Sequence, residues 1–205
     1  MQNVSKIANA LYSSGCLKFG EFRIKSGAIS PYYIDLANLM SSPKDLCTIT
    51  SVAAEEIRQL MKNERVDKLA SIELKGALIL PSIGAKVNLP CIVVRKEKKA
   101  YGVTGRIVGA QVTEGDGIVF FDDVVSEGLS KIEGIKPLEQ LGAEIKCIMV
   151  LVDREQGGKR NLEIQGYWVK ALSKVSELIE NLNQEGKITE KQANTVLQYI
   201  RQSRQ

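Results

Sequence analysis

Residues 117–145 read GIVFFDDVVSEGLSKIEGIKPLEQLGAEI, and their texture decides the fold. An unbroken apolar run, Gly117 to Phe121, ends in two adjacent carboxylates, Asp122 and Asp123. A short turn follows, Ser126-Glu127-Gly128-Leu129-Ser130. Beyond it, Ile132, Ile135 and Leu138 fall on one helical face, and Gly142 closes the segment. Ser130 and Glu133 have the spacing of a capping box, which predicts a helix over roughly 130–141. Strand, acid pair, turn and helix together are the repeating unit of an open α/β sheet. Its strands are covered on both faces and so lose the alternation of polar and apolar residues.

The chemistry of this unit suits a sugar phosphate. A glycine-bearing turn feeding a helix start aims unpaired N–H groups at one spot, where the helix dipole also favours an anion. Gly128 permits the turn and lets backbone approach a phosphate. Ser126 and Ser130 can donate hydroxyl hydrogens, whereas the two carboxylates accept only, which suits sugar hydroxyls. A competing reading needs no ligand, since acids also close strands and serines also cap helices. Neither G-x-G-x-x-G after a strand nor G-x-x-x-x-G-K-[ST] occurs, so dinucleotide and P-loop readings fit less well.

Outward from this unit, short β-rich runs (Leu69 to Ile72, Cys91 to Val94, Ile145 to Val152) alternate with a helical stretch near 76–87. That alternation predicts a parallel sheet flanked by helices. Upstream, Val4, Ile7, Ala8 and Leu11 mark a helix over 3–14, closed by Gly15. LKFGEFRIKSGAISPYYIDL, residues 17–36, predicts short strands and turns. Ser42-Pro43 starts a helix with Leu46, Ile49, Ala53, Ile57 and Leu60 on its face. Two helices close the chain, one near 173–182 and one from Thr189, where Thr189 and Gln192 form a capping box. The expectation is one domain: a hood over about 1–40, an α/β core over about 41–172, and C-terminal helices over about 173–205.

Composition narrows the chemistry. The 205 residues contain no histidine, so no Ser-His-Asp or Cys-His relay, His-ligated metal or imidazole acid–base is available. Lys and Arg number 28 against 24 Asp and Glu, and the resulting +4 is too small to argue for nucleic acid. Cys16, Cys47, Cys91 and Cys147 lack metal-ligand spacing, and Cys91 and Cys147 lie in apolar runs as small hydrophobes. No apolar stretch is long enough to span a membrane, and the N-terminus lacks the build of a signal peptide. The expectation is a cytoplasmic protein.

Ile118 to Ser130 resembles the phosphoribosyl pyrophosphate (PRPP) motif of type I phosphoribosyltransferases. KFGEFRIKSGAISPYYID (18–35), ELKG (73–76), RKEKKAYG (95–102) and VDREQGG (152–158) resemble, in order, four further segments of the orotate phosphoribosyltransferase family. They correspond to that family's N-terminal signature, pyrophosphate loop, mobile catalytic loop and orotate-binding strand end. The residues fit that assignment in kind. Orotate is a planar anion and PRPP carries two phosphate groups, so the site needs forked and mobile cations. A run such as RKEKK read alone is a solvated surface loop. Here it leaves an apolar strand and leads into the glycine-bearing segment 102–109, which suits a lid.

The resemblance implies the type I phosphoribosyltransferase fold and transfer of ribose 5-phosphate from PRPP to N1 of orotate. It implies that Asp122 and Asp123 hold the ribose hydroxyls, that Val124 and Val125 also bind PRPP, and that Ser126, Glu127, Gly128, Leu129 and Ser130 hold the 5′-phosphate. Lys75, Arg95, Lys96, Lys99 and Tyr101 serve the pyrophosphate, with Lys99 neutralising or protonating the leaving group. Lys25 contacts both ligands, and Tyr33, Ile34, Ser126 and Arg154 hold orotate. Magnesium travels with PRPP and takes no direct protein ligand. The implied assembly is a homodimer with Lys96 and Lys99 acting across subunits, and orotidine 5′-monophosphate decarboxylase is an implied partner.

Three features depart from the pattern. Tyr101 stands where many members have histidine. Glu127 and Leu129 intrude into a loop usually rich in Thr, Ser, Ala and Gly, and a carboxylate facing phosphate would repel it by several kcal/mol. The loop works if Glu127 faces solvent and backbone amides bind. Pro137 removes one bond inside the predicted helix. Two readings stay open: an active transferase, or a non-catalytic PRPP-sensing relative. The full set Lys75, Arg95, Lys96 and Lys99 favours the enzyme.

Overall fold

The computed structural model describes residues 2–24, 27–99 and 105–203, with backbone alone at 98 and 99. Lys25 and Tyr101 therefore lie outside the described residues, as does the side chain of Lys99. Helix α1 (Gln2–Ser13) buries Ile7, Ala8 and Leu11, as their spacing requires. Strands β1 (Leu17–Arg23) and β2 (Ile29–Ile34) pair as an antiparallel hairpin. A 3-10 turn over Leu36–Ser41 leads into α2 (Pro43–Leu60), with Pro43 at the first helical position.

The core then runs β3 (Lys68–Ile72), α3 (Lys75–Val87), β4 (Cys91–Lys99), β5 (Gly105–Gly109), β6 (Gly117–Val125), α4 (Leu129–Glu139), β7 (Glu144–Asp153), α5 (Gly158–Ile164) and β8 (Val169–Lys174). Helices α6 (Val175–Gln184) and α7 (Glu190–Ser203) follow. The six-stranded sheet has the order β5-β4-β3-β6-β7-β8. All neighbours are parallel except the edge pair β4–β5. The chain builds outward from β3 in one direction and then crosses back to β6 to build in the other. The seam between β3 and β6 is thus the topological switch point, where open α/β sheets bind ligands.

Both faces of the sheet are covered, which explains the continuous apolar strands. Leu69, Val119, Phe121, Cys147, Met149 and Leu151 pack with α1, α2, α3, α6 and α7. Ala70, Ile72, Ile118, Phe120, Ile148 and Val150 face α4 and α5. Residues 118–121 of β6 and 147–151 of β7 alternate between the two cores, so one register slip there would exchange them.

Four expectations need correction. The charged run RKEKK is not a loop: β4 continues through it to Lys99. Residues 105–109 form β5, so the proposed lid segment 102–109 is strand over that part. An edge hairpin leaves much of its surface in solvent and tolerates charge there. Strand β8 and helix α5 carry too few apolar residues to stand out in the sequence, yet both are formed. Lastly, α4 begins one residue early, with Gly128 at the N-cap and no side-chain cap, so Ser130 lies inside the first turn. The Thr189–Gln192 box is present: Thr189 N–H donates to Gln192 Oε1 at 2.9 Å, and Gln192 N–H to Thr189 Oγ1 at 3.2 Å.

Pro137 sits inside α4 and leaves the Glu133 carbonyl without its helical donor. Arg106 of β5 fills the gap: its Nη2 donates to Glu133 O at 3.1 Å while its Nε donates to Arg95 O at 2.7 Å. This guanidinium is tied to backbone, not offered to a ligand.

Helix α4 meets the sheet at Gly134. A Cβ there would come within 2.6 Å of Phe120 Cζ and 3.0 Å of Ile72 Cβ. In an open helix, Gly to Ala is stabilising by about 0.5–1 kcal/mol. At this contact the sign reverses: Gly134→Ala should destabilise by about 1–3 kcal/mol. Urea unfolding would show a lower midpoint at unchanged slope.

Candidate active site

The carboxyl ends of β3, β6 and β7 bring the chemistry together. On β6, the Asp122 carboxylate is 4% exposed and turns inward. Lys131 Nζ, equally buried, lies 2.6 Å from its Oδ2, and its Oδ1 accepts the Asp123 amide hydrogen at 2.9 Å. Asp123 is mostly buried but is the less enclosed member of the pair. Burial and then the charge of Asp122 push its carboxyl well above the ordinary carboxylate range, with Lys131 opposing.

The turn after β6 is fastened from behind. Ser126 O accepts from Gly158 N at 2.8 Å, and Glu127 O accepts from Asn161 Nδ2 at 3.3 Å, so α5 anchors the carbonyl side. Gly128 adopts φ +92°, and a Cβ there would press within 3.1 Å of Gly158 O. Among the described residues no acceptor takes the amide hydrogens of Glu127, Gly128, Leu129 or Ser130. These are the free donors of a helix N-terminus. The Glu127 and Leu129 side chains are both exposed, which meets the condition under which the loop binds phosphate through backbone.

On β3, the strand end passes through Glu73 and Leu74, joined by a cis peptide, to Lys75. Lys75 Nζ lies 3.0 Å from Asp35 Oδ1 and 5.3 Å from the Tyr33 ring centroid. Burial works against the Lys75 charge, but the Asp35 hydrogen bond and charge outweigh it and raise the ammonium's pKa. Glu73 accepts the Lys96 amide hydrogen at 2.6 Å, fixing β4 beside this turn. Arg95 is half-buried on β4 and Lys96 is exposed.

At the end of β7, the Arg154 amide donates to Val125 O at 2.9 Å. Its Nε donates to Tyr32 Oη at 3.2 Å, with the guanidinium 5.1 Å from the same ring. Tyr32 is fully buried and meets Tyr199 of α7 edge-on at 6.1 Å. Tyr33 faces the other way, stacked on Phe22 at 5.6 Å and 37% exposed. Ile34, by contrast, sends its side chain into the core.

Of the residues singled out in the sequence, Asp122, Asp123, loop 126–130, Lys75 and Arg154 lie at the carboxyl ends of β3, β6 and β7, and Tyr33 lies against Lys75 there. Sequence reasoning missed Lys131, Asp35, Tyr32 and Gly76. Only Tyr32 left a signal, since period-two alternation turns one tyrosine of the pair inward.

A sheet with its switch point at β3/β6, an acid pair there and an open helix start beside it define a type I phosphoribosyltransferase. No protein-family model matches the chain. The orotate phosphoribosyltransferase of Pyrococcus horikoshii is 37% identical over 180 residues, covering 88% of this chain and 95% of that protein. The UMP synthase of Leishmania donovani superposes with a TM-score of 0.84 at 33% identity, covering 97% of this chain and 42% of that one. The orotate phosphoribosyltransferase of Aeropyrum pernix has the same fold, with a TM-score of 0.74 at 22% identity over 89% and 99% of the two chains. The chain belongs to the orotate phosphoribosyltransferase family.

Gly76, at the start of α3, touches this site directly. A Cβ there would fall 2.6 Å from Asp122 Oδ1 and 2.5 Å from Ser71 Oγ. Gly76→Ala must displace the acid pair, and kcat/KM for PRPP should fall by about tenfold to a hundredfold. Steady-state kinetics would show this without loss of the folded circular dichroism spectrum.

Proposed function

We propose that this chain transfers ribose 5-phosphate from PRPP to N1 of orotate, giving orotidine 5′-monophosphate and pyrophosphate. The observation that carries it is the placement of Asp123, the unpaired amides of 127–130, Lys75 and Arg154 together at the carboxyl ends of β3, β6 and β7. The C1′–O bond to pyrophosphate breaks and the N1–C1′ bond forms through an oxocarbenium-like state, while the N1 proton of orotate passes to the departing pyrophosphate or to solvent. The difficulty is charge separation, so catalysis is positioning plus electrostatics.

Asp123 accepts ribose hydroxyls, and the start of α4 receives the 5′-phosphate. Lys75 and Arg95 take the departing pyrophosphate, joined by Lys96 and Lys99. Lys99 neutralises or protonates the leaving group. Arg154, held by Tyr32, grips the planar anion. Among the described residues no three His, Cys, Asp or Glu side chains gather. In this reading magnesium is carried on PRPP oxygens, where it keeps several of its waters.

A homodimer, with Lys96 and Lys99 crossing into the neighbour's site, completes the proposal. The bifunctional enzyme PyrF/PyrE of Nostoc, of which this chain matches 37%, supports an association with the decarboxylase that consumes the product. No helix among the described residues is long and apolar enough to cross a membrane. All four cysteines are free thiols, which suits the reducing cytoplasm. Similarity to curated transferases does not favour the non-catalytic sensing reading.

The decisive experiment follows orotate absorbance after PRPP and magnesium are added to pure protein. A decrease that depends on all three is expected; an unchanged trace overturns the proposal. Lys99→Ala should lower turnover by about 10²–10⁴-fold in a folded protein. Asp123 accepts from two hydroxyls through both oxygens only when ionised, and its pKa is raised. Activity should therefore be lost as pH falls through a value well above the ordinary carboxylate range, read as the acid limb of kcat/KM for PRPP.

A further inference from the structure

Lys131 breaks two local rules at once. It occupies the first turn of α4, where the helix dipole disfavours a cation. It is also almost wholly buried, which disfavours any charge. Its surroundings explain why it is kept. The ammonium donates to Val124 O at 2.5 Å and lies 2.6 Å from Asp122 Oδ2, with Ser130 Oγ at 3.4 Å. One side chain from α4 therefore spans the corner where β6 turns into the phosphate loop. Local rules broken together in this way are characteristic of functional sites.

We propose that Lys131 is a positioning residue for the ribose-phosphate half of PRPP, acting through Asp122 and the Val124 carbonyl rather than on the substrate. The inference rests on the PRPP reading above. It has two parts. First, the Lys131–Asp122 pair holds Asp122 inside, so that Asp123 alone presents a carboxylate to ribose. Secondly, the buried ammonium beneath the loop offsets the negative charge of Asp122, Asp123 and Glu127 where a phosphate must dock. That offset is the local answer to a loop that carries a carboxylate in place of a hydroxyl.

The groups facing the acid pair are few among the described residues. Asp122 shares the strand with Asp123, Lys131 comes from α4 and Lys75 from α3. Strand β3 contributes the Ser71 hydroxyl, and β7 opposes Asp122 and Val124 with Val150 and Val152. Lys131 is thus the only cation in contact with Asp122 there. Two carboxylates deprived of it share a proton more readily, whichever of them holds it.

The test compares Lys131→Met and the charge-neutral double variant Asp122→Asn/Lys131→Met with wild type. Calorimetric titration with ribose 5-phosphate serves as a readout independent of turnover. Lys131→Met should weaken ribose 5-phosphate and raise the PRPP KM by about tenfold or more, moving the orotate KM far less. Its acid limb of kcat/KM should shift upward by about one pH unit. The double variant should regain wild-type thermal stability yet keep the raised PRPP KM, because the strap is still absent. Wild-type PRPP binding in either variant overturns the inference. Recovery of stability and PRPP KM together in the double variant also overturns it, reducing Lys131 to a counter-ion. Failure of both variants to fold overturns it in favour of a purely structural role. Wild-type protein inert towards orotate and PRPP would strike the functional reading instead.

Discussion

A single buried carboxylate, that of Asp122, organises the ligand end of the sheet. It receives the Asp123 amide on one oxygen and the Lys131 ammonium on the other. It also forbids any side chain at Gly76, which lets α3 close over the strand end. Three elements, β6, α3 and α4, are therefore located against one another by contacts to one group. A buried ion pair of this kind adds little net stability over a hydrophobic substitute. What it contributes here is geometry: Asp123, the turn before α3 and the start of α4 keep a fixed separation.

The two apolar layers do the opposite work. They supply the bulk of the folding free energy through non-directional burial and say little about where a ligand sits. Phe120 and Phe121 illustrate the division, since adjacent residues on β6 enter opposite cores. The strand is thereby clamped from both faces, and its polar end projects from a rigid base. A site carried by such a strand is held more tightly than one assembled from loops.

The acid pair, the glycine turn and the apolar strands were legible because each has a local cause that sequence preserves. Lys131 was not, because a lysine in a helix is solvated unless something distant needs it. Here the need comes from Asp122, nine positions upstream. RKEKK was misread for a related reason. Charge usually marks a loop, but a hairpin at the sheet edge satisfies its backbone on one side and leaves its side chains in water. Ser130 resembled a cap because the pattern cannot see that Gly128, in a left-handed conformation, had already started the helix. Fold followed from periodicity, whereas the finer arrangement of the site depended on tertiary neighbours.

Pro137 looks like a flaw in α4, a helix missing one rung. Its loss frees a carbonyl that Arg106 occupies, and the same guanidinium grips the backbone of β4 at Arg95. The β4–β5 hairpin is consequently moored to α4, whose start stands at the ligand end of the sheet. Repairing the helix by replacing the proline would compete for that carbonyl and slacken the mooring, so an apparent defect is the point at which the edge hairpin and the helix are kept in step.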